Sequence, residues 1–286
     1  MTIEVRTEVL RLLFRDPFRI ARAESSEAAD TVLTHLAIDG VEGIGEAYPV
    51  PYYGETLETV VAVAPRLVAV LDDLGPLPRS QDEVLTWLAR STELMAEAIG
   101  NHGGAKAGID IALHDIAGQA LGLPLWRLIG TSDQLPPTDY SLGIDEPATV
   151  AERARRVADF PALKIKVGGT ADLETLEAVR AVFDGPLRVD ANTGWEPEAA
   201  AALIPELARL GVELVEQPFG ARQLAELRWL RERSSLPIMA DESAVFEADL
   251  PMLEGVVDGV VVKLAKCGGV GPALRMIRRA RELGMK

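Results

Sequence analysis

At the start of the chain, apolar and polar positions alternate with the period of a strand. The run TIEVRTEVLRL, from Thr2, reads as one strand. The run TVLTHLAIDGVEGIGEA, from Thr31, reads as two more that meet across Asp39-Gly40, a dipeptide suited to a tight hairpin turn. The pattern then shifts to the helical period over residues 56–73, 81–98 and 104–121. Strands followed by helices predict an α+β unit over residues 1–125, and a turn-rich connector follows at 130–137. From residue 138 short apolar runs alternate with amphipathic stretches: TDYSLGI and a helix at 147–159, ALKIKV and 171–183, LRVDAN and 197–210. The series continues with VELVEQP and 221–233, PIMADES and 247–254, GVVVKLAK and 272–283. Six βα units in succession predict a parallel sheet over residues 126–286.

The strand ends decide between two ways of winding that sheet. Lys166, Asp190, Glu216, Asp241 and Lys263 recur roughly every 25 residues, about one βα unit, each at the C-terminal end of its strand. A doubly wound sheet gathers its site at one switch point. A barrel brings every strand end to a single mouth. Five charged ends on consecutive strands therefore predict an α/β fold of the (β/α)8 TIM-barrel type. The chain reaches ELGMK where a seventh strand would begin, so the barrel is expected to be truncated after its sixth βα unit, with the C-terminal strands missing.

Composition narrows the setting. Of 286 residues, 48% are hydrophobic, ample for a packed core. A net charge of −15 disfavours nucleic acid and anionic membrane surfaces. It does not exclude an anionic substrate, because a local cation overrides the global field. Cys267 is the only cysteine, which rules out an internal disulfide and fits a reducing compartment. The N-terminal run resembles no signal-peptide core, and no stretch of about 18 apolar residues suggests a membrane span. A cytoplasmic protein is expected.

Asp190, Glu216 and Asp241 each follow a short apolar run. Taken singly, each reads equally well as the N-cap of the following helix. Three in register on successive strands would repel one another in a barrel mouth, and a divalent cation with oxygen ligands, Mg²⁺, relieves that. Asn192 lies two residues beyond Asp190, on the same strand face, and reads either as a hydrogen-bonding group near the metal or as a loop former. Glu242 is expected to face away from Asp241 or to lie in the loop. Lys164 and Lys166 share one face of their strand, opposite Ile165 and Val167. In an eight-stranded circle the strands of Lys166 and Lys263 stand opposite each other. A carbon acid held on the metal would show one face to Lys166 and the other to Lys263. Two bases on opposite faces perform racemisation or epimerisation through a metal-stabilised enolate. Lys164 beside Lys166 is expected to depress its pKa by like-charge repulsion. Lys266, in the glycine-rich AKCGGVG, reads more readily as a solvated loop lysine or an ion-pair partner than as a substrate ligand. His35, His102 and His114 have no metal spacing and are read as structural.

The runs KIKVGG, VDANTGW, VEQP, ADES and VKLAKCGG, in that order and spacing, resemble the enolase superfamily and, within it, the muconate-lactonising-enzyme subgroup. The resemblance implies an N-terminal α+β capping domain followed by the barrel. It implies Asp190, Glu216 and Asp241 as Mg²⁺ ligands, Lys166 as base on one face with Lys164 supporting it, and Lys263 on the opposite face. The runs PFRIARAESSEA and TDYSLGID look most like dipeptide epimerases of the Ala-Glu type. The loop around 18–28 is then expected to close over substrate, with Arg19 or Arg22 binding an acidic side chain. The alternatives within the subgroup are muconate cycloisomerase, o-succinylbenzoate synthase and N-acylamino acid racemase. Outside it stands a non-catalytic fragment. The expected partner is a small-molecule carboxylate such as a dipeptide, with a homo-oligomer allowed and no nucleic acid or membrane.

Overall fold

The structure, a computed structural model, describes residues 3–286; the expected start of the first strand at Thr2 lies outside them. The chain forms two compact units, each assembled from separate stretches of sequence.

The first unit takes the residues up to Leu12, then Ala29–Leu135 and Val262–Arg278. Strands β1 (Glu4–Ile20), β2 (Ala23–Ile38) and β3 (Val41–Ala47) form a three-stranded sheet in chain order. β2 and β3 pair antiparallel from Ile38 against Val41 to Val32 against Ala47. Asp39 and Gly40 both adopt positive φ, 50° and 83°, as a two-residue hairpin turn of this hand requires. Helices α1 (Leu57–Ala69), α2 (Gln81–Ala98), α3 (Gly103–Leu121) and α4 (Leu125–Leu128) follow. Thr56 begins α1 with a reciprocal cap: its hydroxyl accepts from Thr59 N, and Thr59 Oγ1 accepts from Thr56 N. The core joins Val32, Leu36 and Ile38 of β2 to Leu67, Met95, Ile109, Leu113 and Ile116 of the helices.

The second unit comprises Leu13–Ala28, Pro136–Val261 and Arg279–Lys286. Its sheet alternates β4 (Asp139–Leu142), α5 (Pro147–Arg156), β5 (Ala162–Lys166), α6 (Asp172–Arg180), β6 (Leu187–Asp190) and α7 (Pro197–Arg209). It continues with β7 (Val212–Glu216), α8 (Leu224–Arg231), β8 (Ile238–Ala240), α9 (Leu250–Leu253) and β9 (Gly259–Val260). The six strands are parallel and lie in chain order, β4-β5-β6-β7-β8-β9. That order contains no reversal, so the described residues hold no switch point of a doubly wound sheet. β4 and β9 are its end strands, and the described residues show no closure into a barrel. The expectation is met as far as an α/β fold with six parallel strands.

The strand expected over GVVVKLAK is shorter than its apolar run suggests. Val261 N still donates to Ala240 O at 2.8 Å, but the chain then winds into α10 (Leu264–Cys267) and α11 (Val270–Glu282). Register fixes the site: Lys166 pairs with Asp190, Asp190 with Glu216, and Glu216 with Met239. Backbone bonds one residue further on, Val167 to Asp190, Ala191 to Glu216 and Gln217 to Met239, keep these ends level.

Candidate active site

Alternation along β5 sends Ile165 and Val167 into the core and turns Lys164 and Lys166 to the other face. That face meets carboxylates. Lys166 Nζ donates to Asp190 Oδ2 at 2.6 Å, and Lys164 Nζ donates to Glu216 Oε2 at 2.6 Å. Lys164 also lies 3.0 Å from Asp190 Oδ2. Asp190, Glu216 and Asp241 are all buried, and one oxygen from each falls within 4.8 Å of the others.

The electrostatics follow from burial and proximity. Burial alone would lower the Lys164 pKa, but Asp190 and Glu216 outweigh it and hold the ammonium well above the usual lysine range. Lys166 moves the opposite way: burial lowers its pKa, Asp190 only partly restores it, and the charge of Lys164 lowers it further. Asp190 is held well below the usual carboxylate range, because the two lysines overcome its burial. Glu216 is pushed up to about 7, by burial first and then by the negative charges of Asp190 and Asp241 against the pull of Lys164. Its Oε1 is buried and makes no hydrogen bond. A divalent cation fits this donor set. It would satisfy the orphaned oxygen and relieve the repulsion among the three carboxylates, all hard oxygen donors.

The loops after the strands hold these groups still. Gln217, with φ of 36°, is fully buried and spans the ends of β7 and β8. Its amide oxygen accepts from Asp241 N at 2.8 Å and Ser243 N at 3.1 Å, while its nitrogen donates to Phe219 O and Ser243 Oγ. Asn192 is not an extension of the β6 face. At φ of 42° it turns out of the strand, is buried, and its backbone N donates to Asp190 Oδ1 at 2.9 Å. Its amide nitrogen donates to Glu242 Oε1 at 3.3 Å. Glu242, expected to face away or lie in the loop, is buried and forms an ion pair with Arg22. The Arg22 guanidinium also donates to Asn192 O at 3.4 Å. Such non-glycine residues at positive φ persist only where surrounding bonds enforce them.

Arg22 belongs to the outer end of the β1–β2 hairpin, residues 13–28. That end is seated on the strand-end loops. Ile144 N donates to Arg19 O at 2.9 Å. The Ala21 methyl fills a notch between Gly168 and Gly194. Arg19 and Lys166 line a cavity of about 280 Å³ with Ser25, Asp145, Thr170 and Asp172.

The remaining sequence candidates lie in the first unit. Lys263 precedes α10 at its N-cap. Lys266 is buried within α10, which overturns the reading of a solvated loop lysine; the short helix places it inside rather than in a glycine-rich turn. Cys267 is buried beside it. His114 lies against Asp110, and His35 between Glu8 and Glu42. None of the histidines joins the acidic cluster. Gln217 is the residue that sequence reasoning missed. It stands in the VEQP run, but nothing in its neighbours signals four bonds formed across two strand ends.

Residues 148–286 match the family described as "Enolase C-terminal domain-like". Residues 2–130 match "Mandelate racemase / muconate lactonizing enzyme, N-terminal domain". An L-Ala-D/L-amino acid epimerase from Maribacter sp. is 33% identical over 287 aligned residues, covering 100% of this chain and 81% of that protein. An L-Ala-D/L-Glu epimerase from Bacteroides thetaiotaomicron is 34% identical, covering 96% of this chain and 70% of that protein. A dipeptide epimerase from Enterococcus faecalis, solved with Mg and the dipeptide L-Leu-L-Tyr, superposes with a TM-score of 0.90 at 34% identity. That match covers 100% of this chain and 81% of the solved one.

Proposed function

Because the chain belongs to the enolase superfamily, in its muconate-lactonizing branch, we propose that it is a Mg²⁺-dependent dipeptide epimerase that inverts the α-carbon of the C-terminal residue. The observation that carries this reading is the pair Lys164–Lys166 held against three converging buried carboxylates. Mg²⁺ held by Asp190, Glu216 and Asp241 would supply positive charge where the substrate carboxylate gains electron density. The protein's own groups then divide the work. Lys166, its pKa lowered by burial and by Lys164, accepts the α-proton as a neutral amine. Lys164 stays an ammonium, bridged between Glu216 and Asp190, and acts on Lys166 through its charge. Lys263 is the second base and returns a proton from the other face.

This reading takes the six-stranded sheet as an arc of a (β/α)8-type barrel and places the boundary between capping and barrel domains at 125/126. The sequential strand order supports the first point. No helix of the described residues is long and apolar enough to cross a membrane. A cytoplasmic setting fits the lone buried thiol of Cys267.

The test is α-deuterium incorporation. The chain is incubated in D₂O with Mg²⁺ and a panel of L,L-dipeptides, N-acylamino acids and muconate, and mass and chirality are read. Mg²⁺-dependent exchange with inversion in particular dipeptides is expected. Turnover of muconate or an acylamino acid with silent dipeptides would transfer the site to another member of the subgroup. Silence across the panel would leave a non-catalytic chain.

A further inference from the structure

Lys263 sits in a segment built into the first unit, Val262–Arg278, and one buried carboxylate fastens that segment in place. Asp110 lies on α3 and is fully buried. Its Oδ2 accepts from Val270 N at 2.6 Å and, more weakly, from Gly271 N at 3.4 Å. These are the opening amides of α11, the end of a helix that favours negative charge. Gly269, just before them, has φ of 121° and packs so closely that an added Cβ would stand 2.5 Å from Asp110 Cβ. Gly103, at the start of α3, lies against the carbonyls of Ala265 and Lys266; a Cβ there would stand 2.9 Å from Ala265 O. Arg275 donates to Thr92 Oγ1 of α2 at 3.3 Å. Between these fastenings the backbone carbonyl of Lys263 accepts from Lys266 N and Cys267 N at 2.9 and 3.1 Å, so its position follows that of α10.

A carboxylate is expensive to bury, and a helix start exposed to water needs no such group. Asp110 takes no part in the acidic cluster or in the bonds of Lys164 and Lys166. We propose that Asp110 is a positioning residue for Lys263: it fixes the α10–α11 segment on α3, and its loss impairs proton transfer at the face of the substrate that Lys263 serves, but not at the face served by Lys166. The inference rests on the two-lysine reading given above.

The experiment uses the full chain in D₂O with Mg²⁺ and the two C-terminal epimers of the dipeptide that exchanges fastest in the L,L panel. Lys166→Met and Lys263→Met first assign each epimer to its base. In Asp110→Ala, exchange of the Lys263-dependent epimer is expected to fall at least about tenfold, and that of the other to change less than about twofold, as a misplaced group requires. Asp110→Asn keeps one acceptor oxygen, so a smaller loss in the same direction is expected; it also serves if the alanine variant does not fold. Hydrogen exchange followed by mass spectrometry should show faster exchange over residues 263–271 and none over 162–167. Equal loss for both epimers, no loss for either, or unchanged protection over 263–271 would overturn the inference. Silence of the unsubstituted chain with every dipeptide would overturn the two-lysine reading and this inference with it.

Discussion

His114 is a protonation site set by one neighbour. Burial would lower its pKa, but the Asp110 carboxylate, 3.3 Å from Nδ1, and the Asp110 carbonyl, 2.8 Å away, together raise it. A histidine whose folded pKa stands above its unfolded value stabilises the fold fully below the unfolded value, about 6.5. That contribution is lost as pH rises through the folded pKa, at about 1.4 kcal/mol for each unit of separation. Stability from urea unfolding should therefore decline as pH rises above about 6.5 more steeply in the unsubstituted chain than in His114→Gln. Parallel curves for the two proteins would remove His114 from the account. At this scale the clustered carboxylates and both β5 lysines were legible, because each closes or alternates with an apolar run. Asn192, Gln217 and Glu242 were not. Their conformations are imposed by bonds to residues distant in sequence, such as Gln217 to Asp241 and Ser243, and a positive φ at a non-glycine leaves no local mark.

The β1–β2 hairpin shows what an element adds. Its turn partner β3 and the helix at 81–98 were legible from period and turn chemistry, the helix to the residue. Its outer end was not, because PFRIARAESSEA alternates poorly and its fastening depends on a methyl. Ala21 sits in the notch of Gly168 and Gly194, where an added Cβ would stand 2.6 and 2.5 Å from the Ala21 Cβ. Arg22 then closes the contact on the buried carboxylate of Glu242. Gly194→Ala should therefore lift the hairpin end at an overpacking cost of about 1–3 kcal/mol. Proteolysis within 18–28 should accelerate, and Ala21→Gly in the same chain should restore protection by emptying the notch. Arg22→Met should loosen the same end and leave Glu242 buried without its partner, a loss of about 3–5 kcal/mol for a broken buried pair. Replacing Glu242 by Gln as well should recover much of it. If both single variants cleave at the unsubstituted rate, neither contact holds the hairpin.

The whole chain passes between its two units five times, because 13–28 and 262–278 each leave the sequence neighbourhood they came from. The six βα units were legible as a pattern, whereas these exchanges were not: they depend on packing partners far along the chain. Neither unit is one continuous stretch, so unfolding either one pulls on strands and helices of the other through the backbone. Thermal unfolding is accordingly expected as a single transition. The three carboxylates proposed to hold Mg²⁺ lie in the second unit alone, yet binding there should raise the one transition as a whole. At a free metal concentration of about 100 Kd the stabilisation is about 2.7 kcal/mol, on the order of 5 °C or more for a chain of this size. Glu216→Gln removes the charge of one proposed ligand and should abolish most of the Mg²⁺-dependent rise. It also removes the buried carboxylate whose pKa burial, and then the charges of Asp190 and Asp241, push up to about 7, so the metal-free variant should melt no more than a few degrees from the unsubstituted chain despite losing the Lys164 bond. Calorimetry with and without Mg²⁺ on both proteins separates the two effects. A split transition in which Mg²⁺ moves only the hotter or cooler part would show that the backbone crossings do not couple the units. A Mg²⁺ response undiminished in Glu216→Gln would place the metal elsewhere.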